Sequence, residues 1–277
     1  MPTTTDKLIA KKDGGIGWII FNNPAKRNAM SMDMYLAMAD ALNDYARDPA
    51  VRVVILKGAG DKAFVSGADI SEFKERRATA EAKAEYEAAS DRAAKALREC
   101  PKPTIASIRG FCMGGGMGTA VSCDLRIASD DSRFGVPAAK LGVGYRYARL
   151  KQLEALVGPS FTMEIFYTGR QFSTEEALAM GLVNRVVGVG ELDDATLELA
   201  NEIAKNDPVA IAMTKKSINR AWEVAGFREA IVSNVEMDSI IEAAEVPERI
   251  EFRKITQEQG LKAAIAWRDA RFRERNA

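Results

Sequence analysis

Two stretches of this chain are denser in glycine and other small residues than packing requires, and both fall where a turn leads into a helix. The first is AFVSGADI at 63–70, which follows the apolar run RVVILK and a Gly58-Ala59-Gly60 turn and precedes a helical pattern near Ser71. Backbone N–H groups exposed at such a turn can hold an anion or a developing oxyanion; a tight strand-to-helix connection would use the same residues. The second is GFCMGGGMG at 110–118, which enters an apolar helix running to Ser122. Consecutive Gly114, Gly115 and Gly116 allow a ligand very close to the backbone. The spacing is not a dinucleotide fingerprint, because Val121 stands where the third glycine would fall, and no Gly-Lys-Ser/Thr follows to make a P-loop. Two such turns on separate loops are what a pair of N–H donors to one carbonyl oxygen needs.

The groups available to move protons are restricted. The 277 residues include no histidine, which excludes Ser-His-Asp and Cys-His pairs, an imidazole base and any His-containing zinc site. Carboxylates, Tyr, Lys, Cys and water remain, and no metal site is expected. Cys100, Cys112 and Cys123 form no CxxC pair, and an odd count suits a reducing compartment. Lys plus Arg total 39 against 39 Asp plus Glu, so the formal charge is zero and nucleic acid is not an expected partner. The N-terminal MPTTTDKLIAKKDGG lacks an apolar signal core, and no run approaches the roughly 20 apolar residues of a membrane span. A cytoplasmic protein that does not engage membranes is the expectation.

The elements that must position these turns alternate. Apolar, β-branched runs at 16–21, 52–57, 104–108, 125–128 and 183–187 read as strands, with an amphipathic helix at 32–45 between the first two. Segment 79–99, rich in Ala, Glu and Lys, reads as a surface helix with a solvated face. Strands joined by helices give an α/β core with mostly parallel pairing. From about Gly190 the pattern is helix after helix, so the chain divides into an α/β core at 1–190 and a helical region at 191–277. Residues 246–275 carry Phe252, Ile255, Leu261, Ile265, Trp267 and Phe272 at roughly helical spacing, as an added layer or an oligomerisation element would.

The pair AFVSGADI and GFCMGGGMGTAVSCDLRIA resembles the crotonase family, also called enoyl-CoA hydratase/isomerase. NNPAKRNAM at 22–30, SRFGVPAAKLGVG at 132–144 and YTGRQFSTEEALAMGLVNRVV at 167–187 follow in the family's order, so the resemblance spans essentially the whole chain. It implies a spiral ββα core, a helical C-terminal region that builds trimers or dimers of trimers, and coenzyme A thioester substrates. No separate cofactor is expected, since coenzyme A arrives as part of the substrate. The N–H groups of Ala68 and Gly115 would form an oxyanion hole for a thioester enolate. Lys26 and Arg27 would lie near the phosphates, or else be solvated loop charges. Ser66, Ala68, Asp69 and Ile70 would surround the adenine and pantetheine, although the Asp69 side chain could instead cap the next helix.

The chain also departs from its family. Typical hydratases carry one glutamate shortly after the glycine triplet and another after Phe-Gly-x-Pro; here those positions are Gly118 and Ala138. Losing a positioned acid or base costs roughly 10²–10⁴-fold each. Gly118 and Ala138, with Gly114, would instead leave room for a bulkier acyl group. Glu164 sits in a later helix and receives no role. Tyr145, in Leu-Gly-Val-Gly-Tyr, resembles the functional tyrosine of the family's methylmalonyl-CoA decarboxylases, whose histidine in the first oxyanion loop is Ala68 here. Tyr145 could orient a carboxylate or relay a proton, and Arg146 could attract an acidic acyl group; packing or solvent exposure are the alternatives for both, and for Tyr147. Glu72 and Glu75 could swing toward the acyl chain, Asp124 is read as structural, and Cys112 as inert packing. Three functions stay open: an enolate-forming acyl-CoA lyase or isomerase, including a malonyl-type decarboxylase; a hydratase with an unrecognised acid/base such as Glu72 or Tyr145; and a non-catalytic acyl-CoA-binding protein.

Overall fold

Apolar runs set the larger of two sheets. The computed structural model describes residues 5–69, 80–142, 144–145, 147–227, 244 and 246–273. In chain order the strands are Leu8–Asp13 (β1), Ile16–Phe21 (β2), Val53–Gly58 (β3), Ala63–Val65 (β4), Thr104–Ile108 (β5), Phe111–Met113 (β6), Leu125–Ser129 (β7), Arg133–Gly135 (β8), Phe172–Ser173 (β9) and Arg185–Val187 (β10). The larger sheet has the order β1-β2-β3-β5-β7-β10, and the smaller one β4-β6-β8-β9. Pairing is parallel except at β1 with β2 and β8 with β9. Strand β5, buried at all five positions, shows the two-sided burial that parallel sheets impose. Edge strand β1 buries only Leu8, and its Lys11 and Lys12 protect the edge from further pairing.

The connectivity is a spiral. Three times the chain passes through a strand of the larger sheet, steps to a strand of the smaller one, and moves on by one position: β3 to β4, β5 to β6, β7 to β8. Helices Met32–Arg47 (α1), Ala80–Glu99 (α2) and Gly115–Ser122 (α3) lead into β3, β5 and β7. Ser31 caps α1 by accepting from the Met34 N–H, and Met34, Met38, Leu42 and Tyr45 form its buried stripe. Residues of β3 alternate: Val54 and Leu56 join the main core, while Val53 and Ile55 face a second cluster with Leu192 and Ala200 of helix Leu192–Ala204.

Helices Ala138–Leu141 (α4), Tyr147–Thr168 (α5) and Thr174–Ala179 (α6) complete the region around the smaller sheet, and α5 is broken at Gly158, where φ is 77° just before Pro159. Helix Leu192–Ala204 (α7) is followed by Pro208–Trp222 (α8), Pro247–Gln259 (α9) and Leu261–Arg273 (α10). Gly260 divides the 246–275 segment into two helices. The α2 segment departs from the solvated reading, because Tyr86, Ala89, Ser90, Ala93 and Leu97 are buried, several of them against α1. Strands β4, β6, β8 and β9 were not expected, since two or three residues are too short to display a period. Among the described residues no helix is long and apolar enough to cross a membrane.

Candidate active site

Both glycine-rich turns leave one N–H unused, and the fold presses the turns together. Gly67, at φ 122°, turns the chain so that Met30 N–H donates to Gly67 O at 2.8 Å and Asp69 N–H donates to Met30 O at 2.9 Å. The Ala68 N–H between them has no acceptor among the described residues. In the second turn Gly114, at φ 51°, donates to Gly135 O at 2.9 Å, and its own carbonyl accepts from Gly118 N–H at 3.1 Å. Gly115 is the first residue of α3, and its N–H also lacks an acceptor among the described residues, as the first residues of a helix do. A Cβ on Gly115 would lie 3.7 Å from Ala68 N, and one on Gly114 would lie 3.8 Å from Gly67 Cα. A Cβ on Gly116 would stand 2.2 Å from Val65 O, so only glycine lets α3 rest directly on β4. Two unpaired donors thus lie on touching loops, with the positive end of the α3 dipole behind one of them.

Gly118, one turn further along α3, has two polar groups in front of it. A Cβ there would meet Tyr145 Oη at 3.0 Å, Arg149 Cδ at 3.1 Å and Arg149 Nη1 at 3.2 Å. Tyr145 donates to Gly114 O at 3.2 Å and packs its ring against Phe166, with centroids 4.8 Å apart. Burial pushes the Tyr145 phenol up to about 12, although the Arg149 charge acts in the opposite direction. Burial disfavours the charged form of Arg149, but the Tyr35 and Tyr145 hydroxyls and the Asp91 carboxylate more than offset this, and the guanidinium stays charged. Arg149 Nη2 donates to Ser90 Oγ at 2.5 Å. Tyr35 Oη lies 3.1 Å from the Cβ position of Gly115, and the Tyr35 ring meets Tyr86 edge-on at 5.7 Å. Ala138 is buried in the main core.

Loop 24–28 joins the first turn. Lys26 Nζ pairs with Asp69 Oδ2 at 2.8 Å, and the Asp69 side chain is only 4% exposed. Ser66 N–H donates to Arg27 O, and Ser66 Oγ donates to Lys26 O. The Arg27 guanidinium lies 5.3 Å from the Phe111 ring centroid. Buried Asn28 holds the β3–β4 turn by donating to Ala59 O and Ala63 O. Lys26, Arg27, Ser66, Ala68 and Asp69 are therefore neighbours, as are Gly114, Gly115, Gly118 and Tyr145. Ile70, Glu72, Glu75 and Arg146 lie outside the described residues, as does the side chain of Tyr147.

The remaining candidates occupy structural places. Asp124 accepts from Thr104 N–H and Oγ1 and pairs with Lys215 at 2.7 Å. Glu164 pairs with Arg170 at 2.8 Å. Burial raises the Cys112 thiol far above its ordinary range, so it is not a thiolate. Among the described residues no group of three or more Cys, Asp or Glu is arranged to hold a metal ion. Sequence reasoning missed Tyr35, Ser90 and Arg149. The first two come from helices distant in the chain. Arg149 lies in the first turn of α5 while Tyr145 precedes that helix, so no helical spacing in the sequence relates the two.

Known proteins resemble this chain in sequence and in fold. A sequence profile described as enoyl-CoA hydratase/isomerase matches residues 11–250. The short-chain-enoyl-CoA hydratase of Clostridium acetobutylicum is 38% identical over 218 residues, covering 79% of this chain and 83% of that protein. The hydroxycinnamoyl-CoA hydratase-lyase of Pseudomonas fluorescens is 36% identical over 215 residues, 76% and 78% of the respective chains. The crystal structure of an enoyl-CoA hydratase/isomerase from Xanthobacter autotrophicus Py2 superposes with a TM-score of 0.89 at 36% identity, covering 97% of this chain and 99% of that one. With its ββα spiral and paired glycine turns, the chain belongs to the enoyl-CoA hydratase/isomerase family, the crotonases.

Proposed function

We propose that this protein processes acyl-CoA thioesters by holding the thioester oxygen between the N–H groups of Ala68 and Gly115, stabilising an enolate. The observation that carries the reading is the pair of unsatisfied backbone donors on touching loops. Lys26, Arg27, Ser66, Asp69 and Ile70 would bind the coenzyme A portion, and Gly114, Gly118 and Ala138 the acyl portion. Hydration by two glutamates does not fit Gly118 and Ala138. Proton handling falls instead to Tyr145, which is neutral at ordinary pH and so acts as a donor rather than a phenolate base. A hydratase using Tyr145 and a non-catalytic acyl-CoA-binding protein are the competing readings. The relatives' names span hydratases, a hydratase-lyase and a dienoyl-CoA isomerase, so the family alone does not choose among them. The C-terminal helices would assemble copies of the chain into trimers or dimers of trimers, in keeping with α8, which buries none of its residues and exposes Val209, Met213 and Ile218.

The test is mass spectrometry of crotonyl, longer enoyl, malonyl, methylmalonyl and aromatic acyl-CoA thioesters incubated in D₂O. Deuterium uptake at the α-carbon or loss of a carboxyl group is expected for at least one of them. Gly115→Pro removes one donor at the first helical position, where proline is tolerated, and should lower the rate by about 10²–10³-fold. Gly115→Ala, which keeps the N–H, should lose much less. Unchanged turnover in Gly115→Pro would overturn the oxyanion assignment. Efficient crotonyl-CoA hydration that survives Tyr145→Phe would overturn the account of Gly118, Ala138 and Tyr145.

A further inference from the structure

We propose that Arg149, with the hydroxyls of Tyr145 and Tyr35, forms an anion receptor in the acyl pocket, and that the substrates are CoA thioesters whose acyl group ends in a carboxylate. The inference rests on the oxyanion-hole reading above and names its substrate class.

Two arginines of this fold make the point by contrast. Buried Arg126 spends three of its donors on structure: Nε donates to Leu182 O, and Nη1 to Ala120 O and Cys123 O. Among the described residues Arg149 donates from Nη2 to Ser90 Oγ and also hydrogen-bonds the Tyr145 hydroxyl, and no carboxylate of those residues lies within ion-pair distance of it. A guanidinium carries five N–H donors, so most of its capacity is left over. The charge itself is already favoured by the Tyr35 and Tyr145 hydroxyls and the Asp91 carboxylate, and an incoming carboxylate would add a charge-assisted pair with the donors that remain.

The location is specific. Arg149 Nη1 and Tyr145 Oη lie 3.2 and 3.0 Å from the point where a side chain at position 118 would begin. The absent side chain is what lets both groups approach α3. Position 118 follows Gly115 by three residues, a rise of about 4.5 Å along the helix. A carboxylate two to four bonds from a thioester carbon spans roughly that distance, given ~1.5 Å per bond. Tyr35 Oη, 3.1 Å from the Cβ position of Gly115, makes no hydrogen bond to a described residue. A neutral acyl chain would leave the spare donors of this guanidinium and the Tyr35 hydroxyl unmatched.

The test measures affinity for malonyl-, succinyl- and glutaryl-CoA against propionyl-, butyryl- and pentanoyl-CoA, by calorimetry on the intact protein, with mass spectrometry reporting any turnover. At least one acidic thioester should bind about 10- to 100-fold more tightly than its neutral counterpart, as a charge-assisted pair with partial burial provides. Arg149→Met should bring that ratio to within about twofold of unity, and Arg149→Lys should keep part of it as a point charge without the fork. A wild-type preference below about threefold for all three pairs would overturn the proposal, as would a preference that persists in Arg149→Met. The wild-type comparison decides the matter even if Arg149→Met fails to fold. If neutral and acidic thioesters bind equally well, only the receptor falls. If no thioester binds, the coenzyme A reading falls with it.

Discussion

Gly116→Ala tests how tightly stability and the candidate site depend on one missing methyl group. The new Cβ would stand 2.2 Å from Val65 O, 2.8 Å from Val65 Cβ and 2.9 Å from Val65 C, all on strand β4. A comfortable carbon–oxygen contact is about 3.3 Å, so helix and strand must separate by about 1 Å. Val65 cannot yield by turning a side chain, because its carbonyl belongs to the backbone. Alanine's helix preference returns about 1 kcal/mol, while overpacking a core contact costs about 1–3 kcal/mol or more. The net expectation is a loss of about 1–2 kcal/mol, read as a lower urea midpoint. The effect on turnover should be larger, because moving α3 away from β4 carries the Gly115 N–H away from Ala68, and a misplacement of ~1 Å can cost about 10²-fold. Gly190→Ala, where no atom lies within 4 Å of the new Cβ, is the control and should change stability by less than about 0.5 kcal/mol. A Gly116→Ala protein with unchanged midpoint and unchanged α-exchange would refute the claim that the two turns are held by direct backbone contact.

Three further outcomes follow from the same contacts. Tyr45 and Tyr145 are both raised to about 12 by burial, so the stability they lend is complete below pH 10 and is lost as pH climbs toward 12; the urea midpoint should fall over that window, and Tyr145→Phe should flatten part of the slope. Asp124→Ala removes the acceptor of the Thr104 N–H and hydroxyl and the ion-pair partner of Lys215, which keeps its bond to Lys102 O, and should lower stability by about 1–3 kcal/mol in urea denaturation; an unchanged midpoint would show that solvent already satisfies these groups. Sedimentation should give a mass of three or six chains, and glutamate at Val209, Met213 and Ile218 together should shift it toward a single chain; a monomeric wild type would remove the role proposed for α8.

Much of the fold was legible because its signals are local. The runs at 16–21 and 104–108 became β2 and β5 with the expected limits, since a strand covered on both faces is rich in apolar and β-branched residues over a short run. The amphipathic stretch at 32–45 became α1, because a one-sided helix has a period that sequence displays. The glycine turns were legible for the same reason: positive φ at Gly67 and Gly114, and the backbone contact at Gly116, exclude larger side chains. The short strands β4, β6, β8 and β9 were not, because two or three residues carry no period and exist only through their partners.

The candidate site divides along the same line. The sequence by itself determined that imidazole chemistry was closed, since the chain has no histidine, and that positions 118 and 138 carry no carboxylate. Its resemblance to the family pointed further, to Ala68 and Gly115 as backbone donors. Only the tertiary structure decided what stands before Gly118. Arg149 arrives there from α5, Ser90 meets it from α2, and Tyr35 approaches Gly115 from α1, across 31 to 80 residues of chain. A guanidinium in a loop or helix reads the same in sequence whether it faces water or a pocket. Its neighbours, which no local pattern encodes, fix how much solvent it loses and which of its donors stay unpaired, and so what it can bind.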